Sequence, residues 1–261
     1  MRVGIVSLGL IGGSILKSLS ENKDFEFYLV TRNENTLKQL NQYHASNDLN
    51  ILKPCDIVFV CSPMCKVLEI LDKLDNILSE KTIVSDVSSL KEFVTKKNYK
   101  YCLIPSHPMA GTEKSGFDAS FSGLFQNAKW VITPYTDIKK DNIDILNNLI
   151  KEMGATPILA DAKEHDKAVA LISHMPLVLS QSLVKMVENN ELAKQLAASG
   201  FKDMTRLALS NFQMAMDMVN MNNENINSAF QLLNSSKDNL LENYNINDLK
   251  HISDTRKEIY K

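Results

Sequence analysis

At 261 residues, with 44% hydrophobic and 23% charged side chains, the chain can bury a sizeable core and is long enough for two domains. Lys+Arg 29 against Asp+Glu 31 leaves a net charge of −2, which gives no electrostatic footprint for nucleic acid or an anionic membrane as partner. No apolar run reads as a membrane span, and Met1 leads straight into a strand pattern, so the expected compartment is cytoplasmic. Cys55, Cys61, Cys65 and Cys102 sit in or beside apolar runs without paired CxxC spacing and read as buried, reduced thiols; the five histidines never pair at i, i+3 or i+4, so no metal site is expected.

In chain order, the β-branched run Val3–Val6 enters a glycine-rich turn, Ser7-Leu8-Gly9-Leu10-Ile11-Gly12, and then a helical pattern through Ile15, Leu16 and Leu19. This turn resembles a dinucleotide fingerprint with Ser7 in place of the first glycine. Gly9 lets the backbone approach a pyrophosphate, Gly12 lets helix and strand pack closely, and the helix N-terminus favours the anion. A second strand, Phe25–Val30, ends at Thr31-Arg32, where an NAD site normally carries an acidic residue. A hydroxyl and an arginine suit the 2′-phosphate of NADP instead, with NAD as the other possibility.

Strand and helix patterns continue to alternate. Glu34–Gln42 reads as helix, Asp56–Cys61 as a strand buried on both faces and closed by Ser62-Pro63, and Lys66–Leu78 as helix. Strands follow at Thr82–Val84, Tyr101–Ile104, Trp130–Thr133 and Thr156–Leu159, with a helix at Asn142–Met153. The alternation predicts an α/β architecture, a Rossmann-type, mostly parallel, doubly wound sheet over residues 1–160. Ser62 and Pro63, at the end of a central strand, belong with the cofactor contacts. Ser89, in Asp86-Val87-Ser88-Ser89-Leu90-Lys91, either caps a following helix or faces the cofactor.

Past Ala160 the β-type runs stop. Lys163–Val187 is a long helical pattern that Pro176 should kink or split after Met175, and further helices are predicted at Glu191–Ala198, Asp203–Leu209, Phe212–Met221, Glu224–Glu242 and Ile246–Tyr260. Residues 161–261 therefore form an all-α domain, and its methionine-rich stripe (Met214, Met216, Met218, Met221) reads as core or as the interface of a homodimer.

The segment with the strongest chemical signal is Pro105–Phe117. His107 follows an apolar strand in a loop punctuated by Pro108, Gly111 and Gly116, and ligands collect at strand ends in nucleotide-binding α/β domains. A histidine there is a candidate general base, the alternative being a loop-tying hydrogen bond.

The glycine turn, Asp86–Lys91, Ser106-His107-Pro108-Met109-Ala110-Gly111-Thr112-Glu113, Ser173-His174-Met175-Pro176 and Gly200-Phe201-Lys202-Asp203-Met204-Thr205-Arg206 together resemble the prephenate dehydrogenase family, over essentially the whole chain and in order. The resemblance implies a dinucleotide-binding domain followed by a helical dimerisation domain. It implies oxidative decarboxylation of prephenate, or of its amino analogue arogenate, in tyrosine biosynthesis. It further implies that His107 accepts a hydrogen bond from the ring hydroxyl, Ser89 holds that hydroxyl or the nicotinamide, Arg206 binds a carboxylate, and Glu113 lines or gates the pocket. By the same resemblance His165, His174, Thr112 and Lys202 count with the substrate contacts. The chain departs from the family pattern at Leu177, often a second histidine, and at Ala215, a tryptophan in some relatives. Rival readings are a β-hydroxyacid dehydrogenase or pyrroline-carboxylate reductase of the same plan, which call for other motifs, and a non-catalytic NADP-binding sensor.

Overall fold

The computed structural model describes residues 1–112, 114–135 and 138–260. Strands β1 (Arg2–Val6), β2 (Glu26–Val30), β3 (His44–Ser46), β4 (Ile57–Val60), β5 (Ile83–Asp86) and β6 (Cys102–Leu103) form one parallel sheet in the order β3-β2-β1-β4-β5-β6. Helices α1 (Leu10–Leu19), α2 (Glu34–Gln39) and α3 (Met64–Leu74) make the first crossovers. The central strands are apolar because both faces are covered: Val3, Ile5, Ile57, Val58, Phe59 and Val60 are completely buried. The strand order reverses between β1 and β4, and such a switch point opens a crevice at the strands' carboxyl ends.

The doubly wound parallel sheet is as expected, but the chain leaves it earlier than the sequence pattern implies. Strands β7 (Ser106–Pro108), β8 (Lys129–Ile132) and β9 (Thr156–Leu159) form a separate three-stranded sheet, β7 antiparallel to β8 and β8 parallel to β9. His107 thus sits on a strand, paired with Val131, and not in a loop. Helix α4 (Lys140–Glu152) packs beside β9. Strand β3 and the single-turn helix Leu49–Leu52 were not expected from sequence.

The helical part begins with α5 (Ala162–Val169), a π-turn at Ala170–His174, and α6 (Met175–Val187). Pro176 sits in the first turn of α6, where its missing N–H costs nothing, so the irregularity falls on the turn before it. As one stretch, Ala162–Val187 is long and apolar enough to cross a membrane by length and composition, which corrects the sequence expectation. One side of it, with His165, Asp166, Val169, Ala170, His174, Met175, Leu177 and Ser180, is buried within the protein, while Leu171, Ile172, Val184 and Met186 are exposed. Then come α7 (Glu191–Leu196), α8 (Ser199–Met204), α9 (Phe212–Met221), α10 (Asn223–Glu242) and α11 (Ile246–Ile259). The helix expected at Asp203–Leu209 is instead the end of α8 followed by a tighter turn, Arg206–Leu209.

Candidate active site at the cofactor crevice

The crevice at the switch point holds a cavity of about 730 Å³, walled by Ser7, Thr31, Arg32, Ser62 and Pro63 from the strand ends, Asn47–Asn50 after β3, and Lys66 and Lys73 of α3. Ser7 adopts φ 71, the left-handed region that the missing glycine would ordinarily occupy. Its hydroxyl bonds Ser62 Oγ at 2.7 Å, tying the ends of β1 and β4 together across the crevice. Gly9 precedes α1 with no side-chain cap, and a Cβ there would meet nothing within 4 Å, so uncapped N–H groups face open space. A Cβ on Gly12 would lie 2.3 Å from the Ser7 carbonyl oxygen, so only glycine lets α1 approach β1 this closely. An open helix N-terminus behind a backbone cradle fits a dinucleotide pyrophosphate. Leu8 is buried beneath the turn, while Leu10 and Ile11 line the adjoining cleft.

That cleft, about 330 Å³, continues past Cys61, Ser62 and Pro63 to Ser88, Ser89, His107, Thr112 and Lys114, and is closed from the helical part by Asn211, Gln213, Met214 and Asp217. Ser89 caps no helix. The 91–92 turn is capped by Asp166, whose Oδ1 accepts from Lys91 N at 2.8 Å and whose Oδ2 accepts from Glu92 N at 2.9 Å.

His107 is held from several sides. Its Nδ1 lies 3.0 Å from His165 Nε2, and His165 Nδ1 lies 2.8 Å from Asp166 Oδ1. The preceding Ser106 is fully buried: Trp130 Nε1 donates to its hydroxyl at 2.9 Å, and Lys91 Nζ donates to its carbonyl at 2.6 Å. Lys91, itself fully buried, also pairs with the Asp86 carboxylate, and burial lowers the lysine from its ordinary pKa despite that partner. Burial, reinforced by His165, Lys91 and His174 nearby, holds His107 well below 6.5, so the ring is neutral at physiological pH.

The remaining expected residues divide. Thr112 is on the cleft wall, and its hydroxyl accepts from Lys114 N at 3.2 Å. His165 is buried behind His107, not on the wall, because both ring nitrogens are engaged by His107 and Asp166. His174 is also off the wall: it is fully buried and its Nδ1 accepts from Asn222 Nδ2 at 3.0 Å, tying the start of α10 to the π-turn. Lys202, on α8, and Arg206, at the start of the turn that packs against α6, are both exposed and absent from the cleft wall. Among the described residues Arg206 has no ion pair; Glu113 lies outside them.

Sequence reasoning gave no role to Asp86, Lys91, Asp166 and Asp217, charged residues that are buried. Asp217 caps α3 from a distance, accepting from Cys65 N at 3.2 Å where the preceding Pro63 offers no side-chain cap. The two departures from the family pattern, Leu177 and Ala215, are both buried and both belong to the apolar cluster of Met64, Leu90, Val169 and Met218.

A glycine-turn crevice joined to a cleft with a neutral histidine defines a two-domain protein with a dinucleotide-binding α/β domain and a helical domain. The chain belongs to the prephenate dehydrogenase family: residues 25–159 match the family's nucleotide-binding domain and residues 161–254 its dimerization domain. The chain is 30% identical to prephenate dehydrogenase of Bacillus subtilis over 87% of its own length, and spans 65% of that relative's length. It superposes on prephenate dehydrogenase from A. aeolicus, solved with hydroxyphenyl propionate and NAD+, with a TM-score of 0.87, 26% identity, and 99% and 98% of the two chains covered. It also superposes on Synechocystis arogenate dehydrogenase with a TM-score of 0.84, 28% identity and full coverage of both chains.

Proposed function

We propose that the protein oxidatively decarboxylates prephenate to 4-hydroxyphenylpyruvate with hydride transfer to NADP or NAD. The observation that carries this reading is His107, neutral and fixed on the cleft wall beside Ser89, next to a crevice built for a dinucleotide. When bound, the nicotinamide would supply the hydride acceptor for the hydroxyl-bearing ring carbon, with carbon dioxide leaving the opposite position as the ring aromatises. His107 draws on the hydroxyl proton and so raises electron donation into the ring, and Ser89 orients the same hydroxyl. Lys114 is the cation on the described cleft wall and receives a substrate carboxylate, with Arg206 as the family-based second candidate. Arg32 on the crevice wall would receive the 2′-phosphate of NADP, which favours NADP over NAD; Lys66 and Lys73 on the same wall are each paired with Glu69.

A homodimer through the helical domain is part of the proposal. Phe212 is 82% exposed, and Leu171, Ile172, Met216 and Met221 are exposed on the same part of the chain, apolar area that a second copy would bury. A second reading, arogenate as substrate, has the support of Asp217, a carboxylate on the cleft wall suited to an ammonium. Turnover of His107→Asn tests the assignment: kcat should fall about 10²–10⁴-fold with little change in KM. Turnover near that of the unmodified protein would remove His107 from the role of base.

A further inference from the structure

Asp166 gathers three donors on one carboxylate. Its Oδ1 faces His165 Nδ1 and Lys91 N, each at 2.8 Å, and its Oδ2 faces Glu92 N at 2.9 Å. A carboxylate so surrounded only accepts, so His165 must carry its proton on Nδ1. With that proton on Nδ1, the ring presents Nε2 as the acceptor. His107 Nδ1 lies 3.0 Å from that nitrogen, with the two rings at 81° to each other. Two ring nitrogens can share a hydrogen bond only if one bears the proton, and here that nitrogen is His107 Nδ1.

We propose that Asp166 and His165 are positioning residues that lock His107 in its Nδ1–H tautomer and so aim the Nε2 lone pair at the cleft. Neutral imidazole in water favours the opposite tautomer, with the proton on Nε2, which could donate to a substrate hydroxyl but could not take its proton. The proposal rests on His107 acting as the base and explains why that base needs two buried partners from α5. It also couples the two polar groups that meet the hydroxyl. Asp166 caps the turn just after Ser89 while steering His107, so one carboxylate sets both. The titratable groups around His107 are His165 and Asp166 on α5, His174 at the π-turn and Lys91 after β5. A proton added to the His107–His165 pair makes both nitrogens of one ring donors and removes the acceptor, so activity should be lost on the acid side.

The test is nitrogen-15 histidine NMR on the full chain at neutral pH, with assignments from single-histidine variants. The expected His107 signal shows a protonated Nδ1 and an unprotonated Nε2. In His165→Leu that signal moves toward the Nε2–H form, and kcat for prephenate falls tenfold or more at unchanged KM, short of the about 10²–10⁴-fold that His107 itself supplies. His165→Gln, whose amide oxygen can stand where Nε2 stood, restores the tautomer and most of kcat. An Nε2–H form of His107 in the unmodified protein overturns the proposal and needs no variant, so a misfolded His165→Leu cannot shelter it. A tautomer and kcat both unmoved by His165→Leu overturn it equally. Absent prephenate turnover with the Nδ1–H tautomer in place would count against the substrate reading and leave the positioning role standing.

Discussion

Lowering the pH should destabilise this protein through its buried histidines, and His174 shows by how much. The ring is fully buried, and burial pushes its pKa from 6.5 down to about 4, against the opposing pull of Asp166. Because the folded pKa lies below the unfolded one, the unfolded chain takes up the proton first. Stability from this residue is complete above pH 6.5 and is lost progressively as the pH falls toward 4. Between about pH 7.5 and pH 5 the loss amounts to about 2 kcal/mol, since the unfolded ring is almost fully protonated at the lower pH and the folded ring hardly at all. His107 shifts in the same direction and adds to it. Urea unfolding at both pH values, at one protein concentration because a dimer makes stability concentration-dependent, measures the drop. His174→Asn keeps an acceptor for Asn222 but no longer titrates, so its drop should be smaller by about 2 kcal/mol. Equal drops in the two proteins would refute the reasoning.

Three further outcomes follow from particular residues. Thr31→Asp with Arg32→Ile should shift the ratio of NADP to NAD affinity about tenfold to a hundredfold toward NAD, since a charge-assisted hydrogen bond contributes about 1.5–3 kcal/mol; KM values for the two cofactors, side by side, check it. Lys91→Met leaves Asp86 buried without its cation and should cost about 3–5 kcal/mol in denaturant unfolding, and a cost under about 1 kcal/mol would mean the pair is dispensable. Lys114→Ala should raise KM for the substrate about tenfold with kcat little changed, reflecting one charge-assisted contact at an exposed position. An unchanged KM there would leave the carboxylate to Arg206.

The legible parts of the fold are those where local pattern and tertiary burial agree. Val3–Val6 and Ile57–Val60 carry no polar side chain because covered parallel strands have no polar face, and the turns that follow them mark the crevice. Ser106–Pro108 was misread as loop because a three-residue strand containing proline has no local signature; only its pairing with β8 makes it a strand. The site divides in the same way. His107, Ser89 and the glycine turn, singled out because motif and context coincide, do line the cleft and crevice. Asp166, Lys91 and Asp217 could not be singled out, since a charged residue beside apolar ones looks the same whether it reaches solvent or a buried partner. His165 and His174, which the resemblance puts among the substrate contacts, are buried off the cleft wall: His165 is bonded to His107 and Asp166, and His174 Nδ1 to Asn222.

The central claim is that this cleft carries out a decarboxylating hydride transfer. Purified protein with prephenate and NADP, then with NAD, should produce the reduced-nicotinamide absorbance together with carbon dioxide and 4-hydroxyphenylpyruvate in equal amounts. Tight dinucleotide binding with no reduction of either cofactor by prephenate or arogenate would contradict the account and leave a nucleotide-binding protein without turnover.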